Sequence, residues 1–134
     1  MSKLSLIEGI GEGYALKFKE AGITTVEGLL EAGSVQKGRD DLAAKLDISE
    51  KRILKWVNHA DLFRVKGIDE EYVELLEAAG IDTVIELGQR KPAQLAAKLL
   101  EVNNAKKLVR EVPSLKQAEE WVAQADKLPR KVFY

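Results

Sequence analysis

Leu6-Ile7-Glu8-Gly9-Ile10-Gly11-Glu12-Gly13-Tyr14-Ala15 is the stretch that decides the fold. A Gly-hydrophobic-Gly triplet between two short apolar-patterned segments reads as a tight turn joining two helices. Glycine accepts the positive φ that such a turn imposes. Ile10 is placed to plug the angle between the helices, and the small Ala15 to let them approach closely. The same pattern returns, weakened, at Val65-Lys66-Gly67-Ile68-Asp69-Glu70-Glu71-Tyr72-Val73. There the first Gly and the Ile survive, Asp69 replaces the second Gly, and Val73 replaces the small residue.

Working outward from this pair, the chain reads as a duplication. At an offset of 58 residues Tyr14 meets Tyr72, Phe18 meets Leu76, Ala21-Gly22-Ile23 meets Ala79-Gly80-Ile81, Thr25-Val26 meets Thr83-Val84, and Leu29 meets Leu87. Leu42-Ala43-Ala44-Lys45-Leu46 then matches Leu95-Ala96-Ala97-Lys98-Leu99 at an offset of 53, so the second copy lacks five residues of intervening loop. We expect a first unit over residues 1–60 with the intact Gly-Ile-Gly hairpin, and a second, degenerate unit over 61–134 that includes a closing helix and a tail.

Hydrophobic spacing predicts helices throughout. Tyr14, Phe18 and Ala21 fall on one face of a helix over 12–21, and Tyr72, Leu76 and Ala79 repeat this over 70–79. Gly22 and Gly80 stand where a left-handed C-cap belongs. Thr24 with Glu27, and Thr83 with Glu86, have the spacing of capping boxes for short helices over 26–32 and 84–90. Further helices are predicted over 40–46, 50–60 and 92–102, the last opened by Pro92. Asn103-Asn104 is read as a break before a short helix over 105–111. Ser114 with Gln117 opens a final helix whose apolar stripe is Leu115, Ala118, Trp121 or Val122, and Ala125. Nothing alternates with period two for long enough to make a strand, so the fold class is all-α.

The Gly9-Ile10-Gly11…Ala15 pattern resembles the helix-hairpin-helix motif. Together with Ala21-Gly22-Ile23-Thr24-Thr25, Ala60-Asp61-Leu62-Phe63-Arg64-Val65-Lys66-Gly67-Ile68, Ala78-Ala79-Gly80-Ile81-Asp82-Thr83-Val84 and Trp121-Val122-x-x-Ala125, it makes nearly the whole chain similar to an uncharacterised bacterial family of duplicated helix-hairpin-helix domains. That resemblance implies two fused helix-hairpin-helix units of short helices with a C-terminal closing helix, and it carries no assigned activity. In members of the wider class that bind DNA, hairpin amides grip a backbone phosphate. The physical basis is a row of free N–H groups at a helix N-terminus, with nearby cations adding affinity.

The candidate phosphate donors here are Gly9, Gly11, Glu12 and Gly13. Glu8 and Glu12 flank them unfavourably, and Lys17 and Lys19 are the nearest cations. Around the second hairpin Asp69, Glu70, Glu71 and Glu74 oppose an anion. Asp69 reads as an N-cap, and the two glutamates as first-turn acids favoured by the helix dipole. Basic candidates elsewhere are Lys51, Arg52 and Lys55 on one helix, followed by Arg64 and Lys66. Lys37 and Arg39 sit in the longer loop, and Lys106, Lys107 and Arg110 form another group. These expectations make Gly11→Val more damaging to hairpin one than Asp69→Val is to hairpin two.

Composition narrows the function classes. The 134 residues are 46% hydrophobic and 32% charged, with no Cys and one His, which removes disulfides, thiolate sites and multi-His metal centres. The formal charge of −1 conceals a split along the chain: −2 over 1–33, +3 over 34–66, −7 over 67–89 and +5 over 90–134. Such opposite blocks either steer association with another chain or neutralise each other within one molecule. His59 reads as a C-terminal-turn histidine, without a Ser or Cys partner for triad chemistry. No nucleotide loop is present, since Gly9-Ile10-Gly11 lacks the following Lys-Ser/Thr. No cofactor, metal or membrane partner is expected. Glu8 interrupts the place where a signal peptide would be apolar, so a cytoplasmic chain is expected. Trp56 and Trp121 have core spacing. The tail Arg130-Lys131-Val132-Phe133-Tyr134 either docks on the body or serves as a partner-binding peptide. The expected function is that of a non-enzymatic binding module, a protein–protein adaptor open to self-association. The alternative is sequence-independent nucleic-acid binding by the first hairpin and the basic clusters.

Overall fold

In a computed structural model, residues 3–134 are described, and among them the regular structure is helical. A 3-10 turn at Leu4–Leu6 precedes α1 (Glu12–Glu20), α2 (Val26–Ala32), α3 (Gln36–Leu46), α4 (Glu50–Leu62), α5 (Glu70–Ala78), α6 (Val84–Gly88), α7 (Pro92–Lys106) and α8 (Leu115–Lys127). Among the described residues no helix is long and apolar enough to cross a membrane. The chain divides into two compact units, Met1–Asp61 with Arg130–Tyr134, and Leu62–Pro129. The segment following Pro129, which the sequence reading attached to the second unit, therefore groups with the first.

In the first unit Ile7, Ile10, Phe18, Leu29, Ile53 and Val57 are almost wholly buried and form the centre of the core. Gly22, at φ +82°, ends α1 in the left-handed conformation. The cap of α2 lies one residue later than the Thr24–Glu27 spacing suggests. Thr25 Oγ1 accepts from Gly28 N at 3.0 Å, because the backbone of Thr25 is already extended at that point. The segment read as a loop before residue 40 is helical from Gln36, so Lys37 and Arg39 stand on α3. Asp47 closes α3 at φ +53°, and Ser49 Oγ accepts from Arg52 N at the start of α4.

The second unit repeats the order with a core centred on Leu62, Leu75, Leu76, Ile81, Leu87 and Leu99. Helix α8 packs against α6 and α7, and α5 packs against α7. Gly80 takes φ +88°. Thr83 caps α6, and the Ser114–Gln117 capping box opens α8 as its spacing predicts. The expected break at Asn103-Asn104 and helix over 105–111 do not occur. Helix α7 runs through both asparagines to Lys106. Asn103 is buried, and its amide donates to Val109 O at 3.1 Å while its Oδ1 accepts from Val109 N at 3.0 Å. A side chain read as a helix breaker instead satisfies the backbone of the extended segment that follows.

Candidate binding sites on the first unit

Each of the turns at Gly9 and Gly67 is backed by a tryptophan. In the first unit Gly9 turns at φ +92°, and a β-carbon there would stand 3.2 Å from Trp56 Nε1. That nitrogen donates to Glu8 O at 3.2 Å, and the Trp56 ring packs edge-on against Tyr14 with centroids 5.1 Å apart. The second unit repeats the device. Gly67 turns at φ +95°, with a hypothetical β-carbon 3.0 Å from Trp121 Nε1, and Trp121 lies 5.2 Å from the Tyr72 ring. Reading the tryptophans only as core missed this role. The signal was present: Trp56-Val57-x-x-Ala60 and Trp121-Val122-x-x-Ala125 match at an offset of 65 residues. That register was hidden by the shift in offset between the two copies.

The two turns then diverge in charge and capping. Gly11 is the N-cap of α1 and offers no side-chain acceptor, so the amides of the first turn keep the unfilled donors of any helix start. Gly11, Glu12 and Gly13 are exposed, and the space beside both glycines is open. In α5 that position is Asp69, whose carboxylate accepts from Tyr72 N at 3.0 Å. Arg52 reaches the first hairpin, where its guanidinium donates to the Tyr14 hydroxyl at 2.5 Å and lies 5.6 Å from the ring centroid. Lys17 is 5.9 Å from the same centroid and donates to Leu46 O at 3.2 Å. The equivalent Tyr72 donates to Glu111 O at 3.0 Å. Its pKa is raised, first by burial and then by the carboxylates of Asp69, Glu111 and Glu71. One tyrosine thus sits among cations and its counterpart among anions.

This geometry reverses the expected order of the two hairpin substitutions. Gly11 has ordinary extended dihedrals, φ −86° and ψ −172°, and a β-carbon there meets nothing within 4 Å. A β-carbon at position 11 therefore meets no clash and no left-handed backbone is required, and the lost cap preference is offset by reduced freedom of the unfolded chain. Asp69→Val removes a made cap, at a cost of about 1 kcal/mol. In thermal melts Asp69→Val is expected to show the larger loss.

The remaining basic candidates are divided between the two units. Lys51 and Lys55 are exposed on α4 beside Arg52. Arg64 and Lys66 belong to the second unit. Arg64 donates to Pro129 O at 2.7 Å, and the Lys66 backbone is held by the Gln124 amide through two bonds of 2.8 and 3.2 Å. Arg39 is 2% exposed. His59 stands in the last turn of α4, as read, and is likewise buried, at 3% exposure.

Arg39 is instead the base of a slot that holds the segment after α8. It donates to Gly33 O at 2.8 Å and to Phe133 O at 2.9 Å. Phe133 N donates to Ser34 O at 2.7 Å, so both backbone groups of Phe133 are engaged. Val132 is buried to 2% exposure, and the Tyr134 hydroxyl donates to buried Asn58 Oδ1 at 2.7 Å. Of the two sequence-level readings of this segment, docking on the body is the one realised. Elsewhere on the unit, Leu4, Ala15 and the largely exposed Leu16 line an open groove of about 410 Å³, flanked by Lys3, Glu12 and Lys19.

A family model for a domain of unknown function, DUF4332, matches residues 8–128. The chain belongs to the DUF4332 family. No curated protein and no solved structure matches it. The match takes in both Trp-backed turns, from Gly9 to Trp121, and stops short of the segment that fills the slot.

Proposed function

We propose that this DUF4332 chain is a non-enzymatic binding module of two helix-hairpin-helix units, acting as a protein–protein adaptor that self-associates. The reading is supported chiefly by the slot on the first unit. It grips an extended segment through paired main-chain bonds, a buried aliphatic anchor and two buried polar side chains. This is the chemistry of peptide recognition, in which backbone bonds hold the strand and side-chain pockets select it. The −7 and +5 blocks favour oriented encounter between copies. The test is light scattering over a concentration series: the average mass rises with concentration, and a strict monomer throughout removes self-association.

A second reading, binding of a nucleic-acid backbone by hairpin one, is favoured by a specific observation. Arg52 and Lys17 gather at Tyr14, beside an exposed helix start with a glycine N-cap. It predicts binding of duplex or single strand at low salt that weakens steeply as salt rises. The triple substitution of Lys51, Arg52 and Lys55 to Glu abolishes that binding, whereas no mobility shift at low salt and high protein removes the reading.

A further inference from the structure

We propose that the slot formed by Ser34, Arg39 and Asn58 is a peptide-recognition site whose ligand in trans is the Arg130–Tyr134 segment of a second copy of this chain. The inference rests on the adaptor reading above and supplies the contact by which copies associate.

The slot cannot stand empty at low cost. Arg39 is 2% exposed and Asn58 is 8% exposed. One guanidinium nitrogen of Arg39 is held by Gly33 O, while the other is answered by Phe133 O of the segment. Withdrawing the segment removes that acceptor from Arg39 and the Tyr134 hydroxyl from Asn58, and exchanges a charge-assisted bond and the burial of Val132 for contact with water. Only an occupant with the same chemistry restores the balance: a backbone carbonyl for Arg39, a backbone N–H for Ser34 O, a small aliphatic side chain at the Val132 position and a hydroxyl for Asn58. A second copy carries a segment that meets all four requirements.

The chain path allows the exchange. The chain leaves the first unit after Asp61, builds the second unit, and returns at Arg130. The residues from Leu128 onward are without helix or strand. A short segment reached through such a connection is the element that identical copies trade when they swap. The contacts made in trans are those made in cis, so concentration decides the outcome. A segment tethered to its own slot competes at an effective concentration of order millimolar, which places the exchange in the concentrated regime.

The test uses two full-length variants with complementary defects. Val132→Asp ruins the segment and leaves the slot intact. Arg39→Met ruins the slot and leaves the segment intact. A fluorescein-labelled peptide covering residues 129–134 is expected to bind Val132→Asp saturably, and to bind the unaltered chain about tenfold more weakly or worse because its own segment competes. Mixing the two variants is expected to give a one-to-one complex that neither forms alone, and excess peptide dissolves it. Should Val132→Asp not fold, as judged by circular dichroism, Phe133→Pro replaces it, since it removes the N–H that Ser34 O accepts and restricts the backbone there while leaving the slot residues untouched. Absence of saturable peptide binding, or of a mixed complex, overturns the proposal. Self-association that survives in both variants and ignores excess peptide overturns it too, while leaving the adaptor reading in place.

Discussion

Trp121→Ala is expected to destabilise the second unit by about 3–5 kcal/mol, the range for removing a large buried aromatic. The side chain is 2% exposed and belongs to the core of that unit. Its ring faces Tyr72, and its indole nitrogen lies against the left-handed turn at Gly67. Truncation opens a cavity directly behind that turn. The loss is measured by urea denaturation followed by circular dichroism. The counterpart Trp56→Ala is expected to cost a similar amount in the first unit, and additionally frees Glu8 O from its 3.2 Å bond with the indole. Trp56→Phe narrows the comparison, since it keeps most of the packing and removes the bond, worth about 1 kcal/mol. Losses below about 1 kcal/mol for both alanine variants would contradict the role given to the tryptophans.

Arg39→Met carries the second large effect. The substitution keeps an unbranched apolar stem of similar reach and removes the charged head. Two bonds from that head to carbonyls, at 2.8 and 2.9 Å, disappear together. Hydrogen bonds to charged groups are worth about 1.5–3 kcal/mol each, so a loss of roughly 2 kcal/mol or more is expected after the methionine recovers some packing. A second readout isolates the segment. Arg130 and Lys131 are exposed trypsin sites, and cleavage there requires the segment to leave its slot. Cleavage at these residues is expected to accelerate about tenfold or more, because proteolysis follows the population of the open form. An unchanged cleavage rate together with a lowered melting temperature would confine Arg39 to holding Gly33 O.

The helical class and most helix positions are legible in the sequence, because they rest on local signals. Repeated apolar faces, Gly22 and Gly80 past two helix ends, and the Ser114–Gln117 box all act within a few residues. What escapes is governed by partners distant in the chain. Asn103 reads as a breaker by its own preference, yet its amide is engaged by Val109. Arg39 reads as a solvated loop cation. Its burial depends on a carbonyl supplied by Phe133, 94 residues away. The Trp56–Gly9 and Trp121–Gly67 contacts lie beyond any periodicity, although the repeated Trp-Val-x-x-Ala pattern holds the clue. At the candidate hairpin, the glycines and Tyr14 are readable, whereas the arrival of Arg52 from α4 is not.

The contrast between the two helix starts, by comparison, is local and legible in the sequence. A single replacement, glycine at 11 by aspartate at 69, converts an open helix start into a self-capped one. The surrounding carboxylates then make the second copy a poor home for any anion. The first unit thus has an exposed helix start at Gly11 and a slot that holds the segment after α8, and the second an acidic, self-capped helix start at Asp69.

Sedimentation equilibrium of the full chain tests the central claim most directly, over protein concentrations from about ten micromolar to about one millimolar, the range set by tethered competition. The account predicts a weight-average mass that climbs from monomer toward dimer and returns to monomer in Val132→Asp. A single monomer mass across the whole range, or an association that Val132→Asp leaves unchanged, would contradict it.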